Sequence, residues 1–265
     1  EGDAPFIAIP VFPSRVFRLS SIYVHPDGPV KRPEDLAGKR IGVPEWGQTA
    51  GIYTRGWLAH HIGVPLTDVD WIQSGANHPG REETAKLVLP DGINLTPVTD
   101  RSLAQMILDK DLDAMFSAHP PDVFVAGDPN IVRLIPHYRE AEEAYFRETG
   151  IFPIMHIIAI KKSTYDANPW IAMNLYRAFD EAKRRGVSRL LDVTASQIAV
   201  PWGFHNTAEM GRLVFGDGEY WPYGIERCRT TLEAFLQYCF EQGVTHRHLK
   251  PEELFAPEAQ IFHKE

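Results

Sequence analysis

The stretch Lys31-Arg-Pro-Glu-Asp-Leu-Ala-Gly-Lys-Arg-Ile-Gly-Val-Pro-Glu-Trp-Gly-Gln-Thr-Ala-Gly-Ile-Tyr-Thr-Arg-Gly-Trp57 decides how this chain is read. Pro33 to Leu36 suit one short helical turn, with proline in the first turn and acids behind it. Gly38 ends that turn, and Lys39 to Val43 form a short β-rich run. Pro44 to Gly47 break the run, and Gln48 opens a helix that extends to about Ile62. The first amides of a helix have no partner within it, so a strand, a glycine-containing loop and a helix start together make a place for an anion. Gln48, Thr49 and Ala50 are the residues at that start, and Thr49 adds a hydroxyl donor.

An ordinary strand–loop–helix of an α/β domain carries the same text, and neither nucleotide fingerprint, G-x-G-x-x-G or G-x-x-x-x-G-K-[ST], is present. The whole phrase resembles the opening of the second lobe in type 2 periplasmic-binding-protein folds. That resemblance implies a two-lobed α/β protein with a ligand cleft between the lobes, in which the helix start touches a carboxylate.

Working outward, Phe6 to Phe12 read as a buried strand and Pro13 to Arg18 as a loop. Ser20 to His25 form a β-type run that serves as the first crossing between lobes. Ile154 to Ile160 form a second long run, the return crossing. The expected division is residues 1–25 plus 156–265 for one lobe and 26–155 for the other. The N-terminal text runs straight into an interior-type strand, so a strand–helix–strand of the fold is expected to be absent from it. Asp70 to Gln73, Asp113 to Phe116 and Ile131 to Ile135 read as strands. Lys86 to Thr99 read as a hairpin around Pro90-Asp91-Gly92. Helical spacing marks Leu103 to Ile107, Tyr138 to Glu148 and Asn168 to Arg185. The stretch from Pro201 to Gly224, dense in aromatics, glycine and proline, reads as a packed loop. Cys228, Leu232, Phe235, Leu236, Cys239 and Phe240 form the clearest apolar stripe in the chain. Strands alternating with helices predict a mixed or parallel sheet in each lobe.

The totals narrow the function. A chain of 265 residues with 44% hydrophobic content supports one large or two modest cores. A net charge of −8 argues against a general nucleic-acid binder. No apolar run reaches the length of a membrane span, about 18 residues. Cys228 and Cys239 lie 11 positions apart, about 16 Å along a helix, too far to pair. Two core thiols suit a reducing compartment, and a cytoplasmic location is expected, with targeting left open by the abrupt N-terminus. The expected partner is a small aromatic carboxylate, with room for a homo-oligomer and no role for nucleic acid or membrane.

Arg15, Arg18 and Arg81 are the candidate carboxylate binders, because a guanidinium makes paired bonds to a carboxylate; solvated surface arginines are the alternative. His156, a polar ring in the apolar crossing Phe152-Pro-Ile-Met-His-Ile-Ile158, is either a hydrogen-bonded core histidine or a functional one. Tyr223 is a candidate wall for an aromatic ligand. The signal for a metal is poor: there is no H-E-x-x-H and no cysteine pair at ligand spacing. No organic cofactor is expected, and a divalent metal stays open, with His25, His78 and His119 as the ligands to search.

Several phrases, in order and over nearly the whole chain, resemble the 4,5-dihydroxyphthalate decarboxylase family. They are Ile9-Pro-Val-Phe-Pro-Ser-Arg15 with Phe17-Arg18, Gly42-Val-Pro-Glu45 with Gln48-Thr-Ala50, and Phe152-Pro-Ile-Met-His156. To these add Asp217 through Trp221-Pro-Tyr-Gly224, Thr231-Leu-Glu233, Glu241-Gln-Gly243 and Pro251-Glu-Glu-Leu-Phe255. Leu19 stands where a histidine is expected after Phe17-Arg18. The resemblance implies loss of CO2 from 4,5-dihydroxyphthalate to give 3,4-dihydroxybenzoate. It also implies His156 as acid or base, carboxylates held by Arg15, Arg18 and the helix start, and Tyr223 at the ring. The competing readings are another aromatic-acid decarboxylase and a solute-binding protein of the same fold. A ligand-sensing domain of a transcription regulator would need a helix-turn-helix, and none is visible.

Overall fold

The computed structural model describes residues 4–83, 86–216 and 218–260. Asp217, which belongs to a stretch singled out above, lies outside the described residues. In chain order the strands are β1 (Phe6–Arg15), β2 (Ile22–Val24), β3 (Arg40–Val43), β4 (Asp70–Gln73), β5 (Asn94–Pro97), β6 (Ala114–Phe116), β7 (Val132–Arg133) and β8 (Ile154–Lys161). The helices are α1 (Thr49–Trp57), α2 (Leu103–Leu108), α3 (Asp122–Val125), α4 (Tyr138–Thr149), α5 (Lys162–Ala167), α6 (Trp170–Leu190), α7 (Gly203–Phe215), α8 (Ile225–Glu241) and α9 (Pro257–Gln260). The chain forms two units, one of residues 1–15, 156–232 and 250–265, the other of residues 16–155 and 233–249.

The second unit is a six-stranded sheet in the order β5-β4-β3-β6-β2-β7. β3 lies between β4 and β6, parallel to both, while β2 runs antiparallel to β6 and β7. The opening stretch behaves as its text requires. Pro33–Leu36 is a single 3₁₀ turn whose Asp35 carboxylate accepts the Lys31 and Arg32 amides, and Gly38 takes φ 69° beyond it. Gly42 is needed in β3, because a Cβ there would meet the Leu103 side chain at 2.6 Å and bar α2 from the sheet. The core on the other face is aromatic: Trp46 and Trp71 are fully buried and meet edge to face at 5.3 Å.

Several expectations change. Lys86 to Thr99 do not make a hairpin; β5 adds parallel to β4, from Asp70↔Asn94 to Gln73↔Pro97, so its partner is a distant strand. The first lobe was expected to reach His25, yet β2 pairs with β6 and β7 and so belongs to the second unit. Residues 233–249 were expected in the first lobe. They belong to the second unit because Phe235 stacks on Tyr53 at 5.0 Å and Tyr238 meets it edge-on at 6.4 Å.

In the first unit, β1 is hydrogen-bonded along β8, and Ala8 exchanges backbone bonds with Leu254 and Ala256 on its other side. Among the described residues the regular sheet of this unit is this β1–β8 ladder, less than the mixed sheet expected. The core gathers Phe12, Tyr176, Tyr223, Cys228 and Phe255. Pro201 to Gly224 is not one packed loop. Its middle is the 13-residue helix α7, which glycine and the clustered aromatics masked in the sequence. Cys228 and Cys239 are both buried free thiols on α8, as the apolar stripe implied.

Candidate active site

In the second unit the β3–α1 loop is assembled over a buried cation. Pro44 ends the β3 ladder, and Trp46 turns into the core, fully buried. The Arg55 guanidinium, also fully buried, lies 3.9 Å from the centre of the Trp46 ring. It donates to the Trp46 carbonyl and, at 2.8 Å, to the Gln242 side chain. Gln242 closes the arrangement by donating to the Ile52 carbonyl at 3.0 Å and accepting the Trp46 indole N–H at 2.7 Å. Burial pulls Arg55 down to about 9, opposed first by the charge of Glu83, so it stays a cation at neutral pH. Gly51 leaves space for it, since a Cβ there would sit 2.8 Å from Nη1.

This loop holds a carboxylate in the structure as it stands. The amides of Trp46 and Gly47 donate to Glu83 Oε2 at 2.5 and 3.1 Å. These are amides of the loop, ahead of the Gln48, Thr49 and Ala50 amides that the sequence singled out. Gln48 is the N-cap without a side-chain cap bond, and its carbonyl accepts the Ile52 amide at 3.0 Å. Gln48 and Thr49 are half-buried, and Ala50 is buried in the core. Arg81, expected to bind a ligand carboxylate, instead forms an ion pair with Glu45 at 2.9 Å, a residue of the same loop.

Arg18 lies in the second unit as well. Its Nε and Nη2 reach Met155 Sδ at 3.2 and 2.9 Å, and a thioether is a weak acceptor for a full cation. Burial draws its pKa down, with Glu142 opposing. Glu142 itself accepts the Leu19 and Ser20 amides, and burial pushes its pKa up. Arg18 lines a small cavity of about 20 Å³ with Tyr53, Thr54, Trp57 and Tyr145. Leu19, in the position where a histidine was expected, lines the same cavity and is buried.

In the first unit the structure brings Arg15 and Tyr223 together. Arg15 is not a loop residue: β1 runs through to it, and it is buried. Its guanidinium donates to the Pro222 carbonyl at 2.8 Å and the Cys228 thiol at 2.9 Å, lying 5.5 Å from the Phe12 ring and 5.9 Å from the Trp221 ring. Tyr223 is buried, with its pKa raised by burial and by Asp180 and held back by the Arg15 charge. The Lys183 ammonium stands 4.5 Å from the Tyr223 ring centre and bonds Asp180 at 2.8 Å and Glu219 at 2.7 Å. Arg227 also contacts Glu219. Tyr223, Tyr176, Asp180 and Glu219 line a cavity of about 180 Å³.

His156 is exposed, so it is not the hydrogen-bonded core histidine that an apolar strand suggested. Its Nδ1 is hydrogen-bonded to the Ser14 hydroxyl across the β1–β8 ladder. Its Nε2 has no hydrogen-bond partner among the described residues. A ring fixed through one nitrogen and open at the other can give or take a proton. Among the described residues no group of three or more His, Cys, Asp or Glu converges as metal ligands. His25 is buried with Nδ1 accepting the Asp27 amide at 3.0 Å, and His78 and His119 are exposed loop residues.

Glu83, Arg55, Lys183 and Ser14 were missed by sequence reasoning. Asp180 and Lys183 carry a local signal, an acid and a base three apart on one helix. Glu83, Arg55 and Ser14 carry none, because their partners lie elsewhere in the chain.

The fold defines the class of protein. The chain aligns with the crystal structure of the periplasmic aliphatic sulphonate binding protein SsuA from Escherichia coli at a TM-score of 0.50 and 11% identity, covering 98% of this chain and 76% of that one. The fold is therefore the type 2 periplasmic-binding-protein-like α/β fold. No family model matches the sequence. The chain is 34% identical over 257 residues to the 4,5-dihydroxyphthalate decarboxylase of Comamonas testosteroni, covering 97% of this chain and 77% of that protein. It is 39% identical over 145 residues to the enzyme of the same name from Pseudomonas putida, covering 54% of this chain and 55% of that one. The chain belongs to the 4,5-dihydroxyphthalate decarboxylase family.

Proposed function

We propose that the chain is a carboxy-lyase that converts 4,5-dihydroxyphthalate to 3,4-dihydroxybenzoate and CO2 without oxidation. The observation that carries this reading is the 34% identity to a decarboxylase of that name over 97% of the chain. The chemistry asks for little. Each carboxylate of the substrate is para to a hydroxyl, so removing the phenolic proton pushes an electron pair to the ring carbon that bears the carboxylate. An acid protonates that carbon. The bond to the carboxylate then breaks, its electron pair restores the aromatic ring, and CO2 leaves. The net change is one proton taken up for one CO2 lost.

The acid–base role goes to His156, supported by its Ser14 bond and open Nε2. Carboxylate recognition goes to Arg18, supported by its weak thioether partner, and to the Trp46 and Gly47 amides of the loop before α1, supported by their present hold on Glu83. Arg15 donates to Pro222 and Cys228 and acts on Tyr223 through its charge. Among the described residues no helix is long and apolar enough to cross a membrane. We place the reaction in the cytoplasm, a reading the two free thiols favour.

The test is incubation of the purified protein with 4,5-dihydroxyphthalate, with and without chelator, following CO2 and 3,4-dihydroxybenzoate by chromatography. Turnover that survives chelation and falls about 10²- to 10⁴-fold in His156→Ala supports the acid–base scheme. Turnover lost on chelation replaces it with a metal-assisted one. Binding without turnover returns the chain to the solute-binding class that its fold also serves.

A further inference from the structure

The second unit carries a groove of about 480 Å³ that the decarboxylation reading does not use. Its walls are Trp57, Ile62, Leu134, Ile135, Ala141 and Ala144. Ala141 and Ala144 are three apart on α4, so they share a face, and their small side chains leave the space open. The polar groups at the groove are all of one kind: Lys31, Arg32, His61 and His137, with no aspartate or glutamate in the lining. Two of them, Lys31 and Arg32, are cations in a chain of net charge −8.

The partners of these groups show which are available. Arg32 is taken by Asp35 at 3.3 Å and Glu34 at 3.8 Å, and His61 stands 3.7 Å from Glu148. Lys31 reaches only the Pro26 carbonyl with its ammonium, and so keeps its charge uncompensated. The His137 imidazole has no hydrogen-bond or ion-pair partner among the described residues, and the residue stands exposed at the N-cap of α4. An apolar, ring-sized space beside an unneutralised ammonium and a free imidazole matches one chemistry: a flat apolar body bearing one negative charge. The volume lies in the range of small-molecule sites, about 300–1,000 Å³.

We propose that this groove is a binding site for an aromatic carboxylate, its ring against Trp57 and Leu134 and its carboxylate at Lys31 and His137. The proposal rests on the lining of this unit and not on the reaction assigned above. Trp57 and Leu19 also line the Arg18 cavity, so an occupant of the groove lies one side chain away from that arginine.

The test uses 1-naphthoate as probe and the neutral 1-naphthamide as control, read by amide and indole NMR shifts of the full chain. The site predicts saturable 1-naphthoate binding with shifts centred on residues 134–144 and the Trp57 indole, and at least tenfold weaker binding of the amide. Lys31→Met with His137→Leu weakens 1-naphthoate at least tenfold while the remaining spectrum is unchanged. Ala144→Trp fills the groove and abolishes the shifts; should that variant misfold, the charge-deleting pair carries the test. The proposal fails if acid and amide bind alike, or if the shifts map elsewhere. It also fails if nothing saturates below about 10 mM, an affinity of under 3 kcal/mol. Concentration-dependent shifts of residues 134–144 without probe would overturn it in favour of a second copy covering the face.

Discussion

The Glu83 carboxylate accepts the Trp46 amide at 2.5 Å, bringing together residues 37 positions apart at the loop between β3 and α1. The same oxygen accepts the Gly47 amide, and its charge opposes the effect of burial on Arg55. One carboxylate thus serves a loop and a buried cation. Glu83→Gln keeps the size of the side chain and removes the charge. The expected loss is about 1.5–3 kcal/mol, the range of hydrogen bonds to charged groups. An unchanged urea midpoint would show that Glu83 contributes nothing to the loop.

Ser14 bonds Nδ1 of His156 from the neighbouring strand. If His156 moves the proton, Ser14→Ala frees the ring and lowers kcat roughly 10- to 100-fold with little change in KM, because geometry is lost and binding is kept. Ser14→Thr, which keeps the hydroxyl, restores most of the rate. Equal turnover in Ser14→Ala and the parent would remove Ser14 from the mechanism.

Arg18 presents a guanidinium to a thioether, a partner easily exchanged for a carboxylate. Arg18→Lys keeps the charge but loses the paired donors, so KM for the dicarboxylate rises about tenfold or more while the protein stays folded. A KM within twofold of the parent would assign Arg18 to structure alone.

Gly56 sits where α1 meets α8, and a Cβ there would collide with three ring carbons of Tyr238. The ring is held between Tyr53 and His60 at 6.4 and 5.1 Å, so it has little room to retreat. Gly56→Ala therefore destabilises by about 1–3 kcal/mol, although alanine favours a helix more than glycine does. A stabilised variant in thermal unfolding would mean that the ring yields freely.

Burial, aided by Asp180, pushes the Tyr176 phenol from 10.0 up to about 12. Between those values the unfolded phenol is ionised and the folded one is not, so the folded state binds more protons and stability falls as pH rises. Its contribution is complete below pH 10 and lost by about 12. Each pH unit in that window costs about 1.4 kcal/mol. Tyr176→Phe lacks this group, so its urea midpoint falls less steeply than the parent's from pH 10 to 12. Parallel curves would place Tyr176 in water.

Periodicity and punctuation carried most of the architecture. The 3₁₀ turn at Pro33–Leu36, strands β3 and β4, and helices α4, α6 and α8 follow from proline, glycine and apolar spacing within a few residues of each other, where local sterics decide. The buried state of both cysteines also follows from the stripe on α8. Pairings across long separations were illegible. β5 joins β4 instead of folding into a hairpin, because a parallel ladder to a buried strand outcompetes a local turn signal at Pro90-Asp-Gly92. The text showed that Arg15, Arg18 and Arg81 are cations but not what each one faces. Only the tertiary structure set Arg15 against Pro222 and Cys228, Arg81 against Glu45 and Arg18 against Met155. The physical reason is one of range: a residue's type and its neighbours fix backbone preference, whereas the partner of a charge is chosen by whichever distant segment packs beside it.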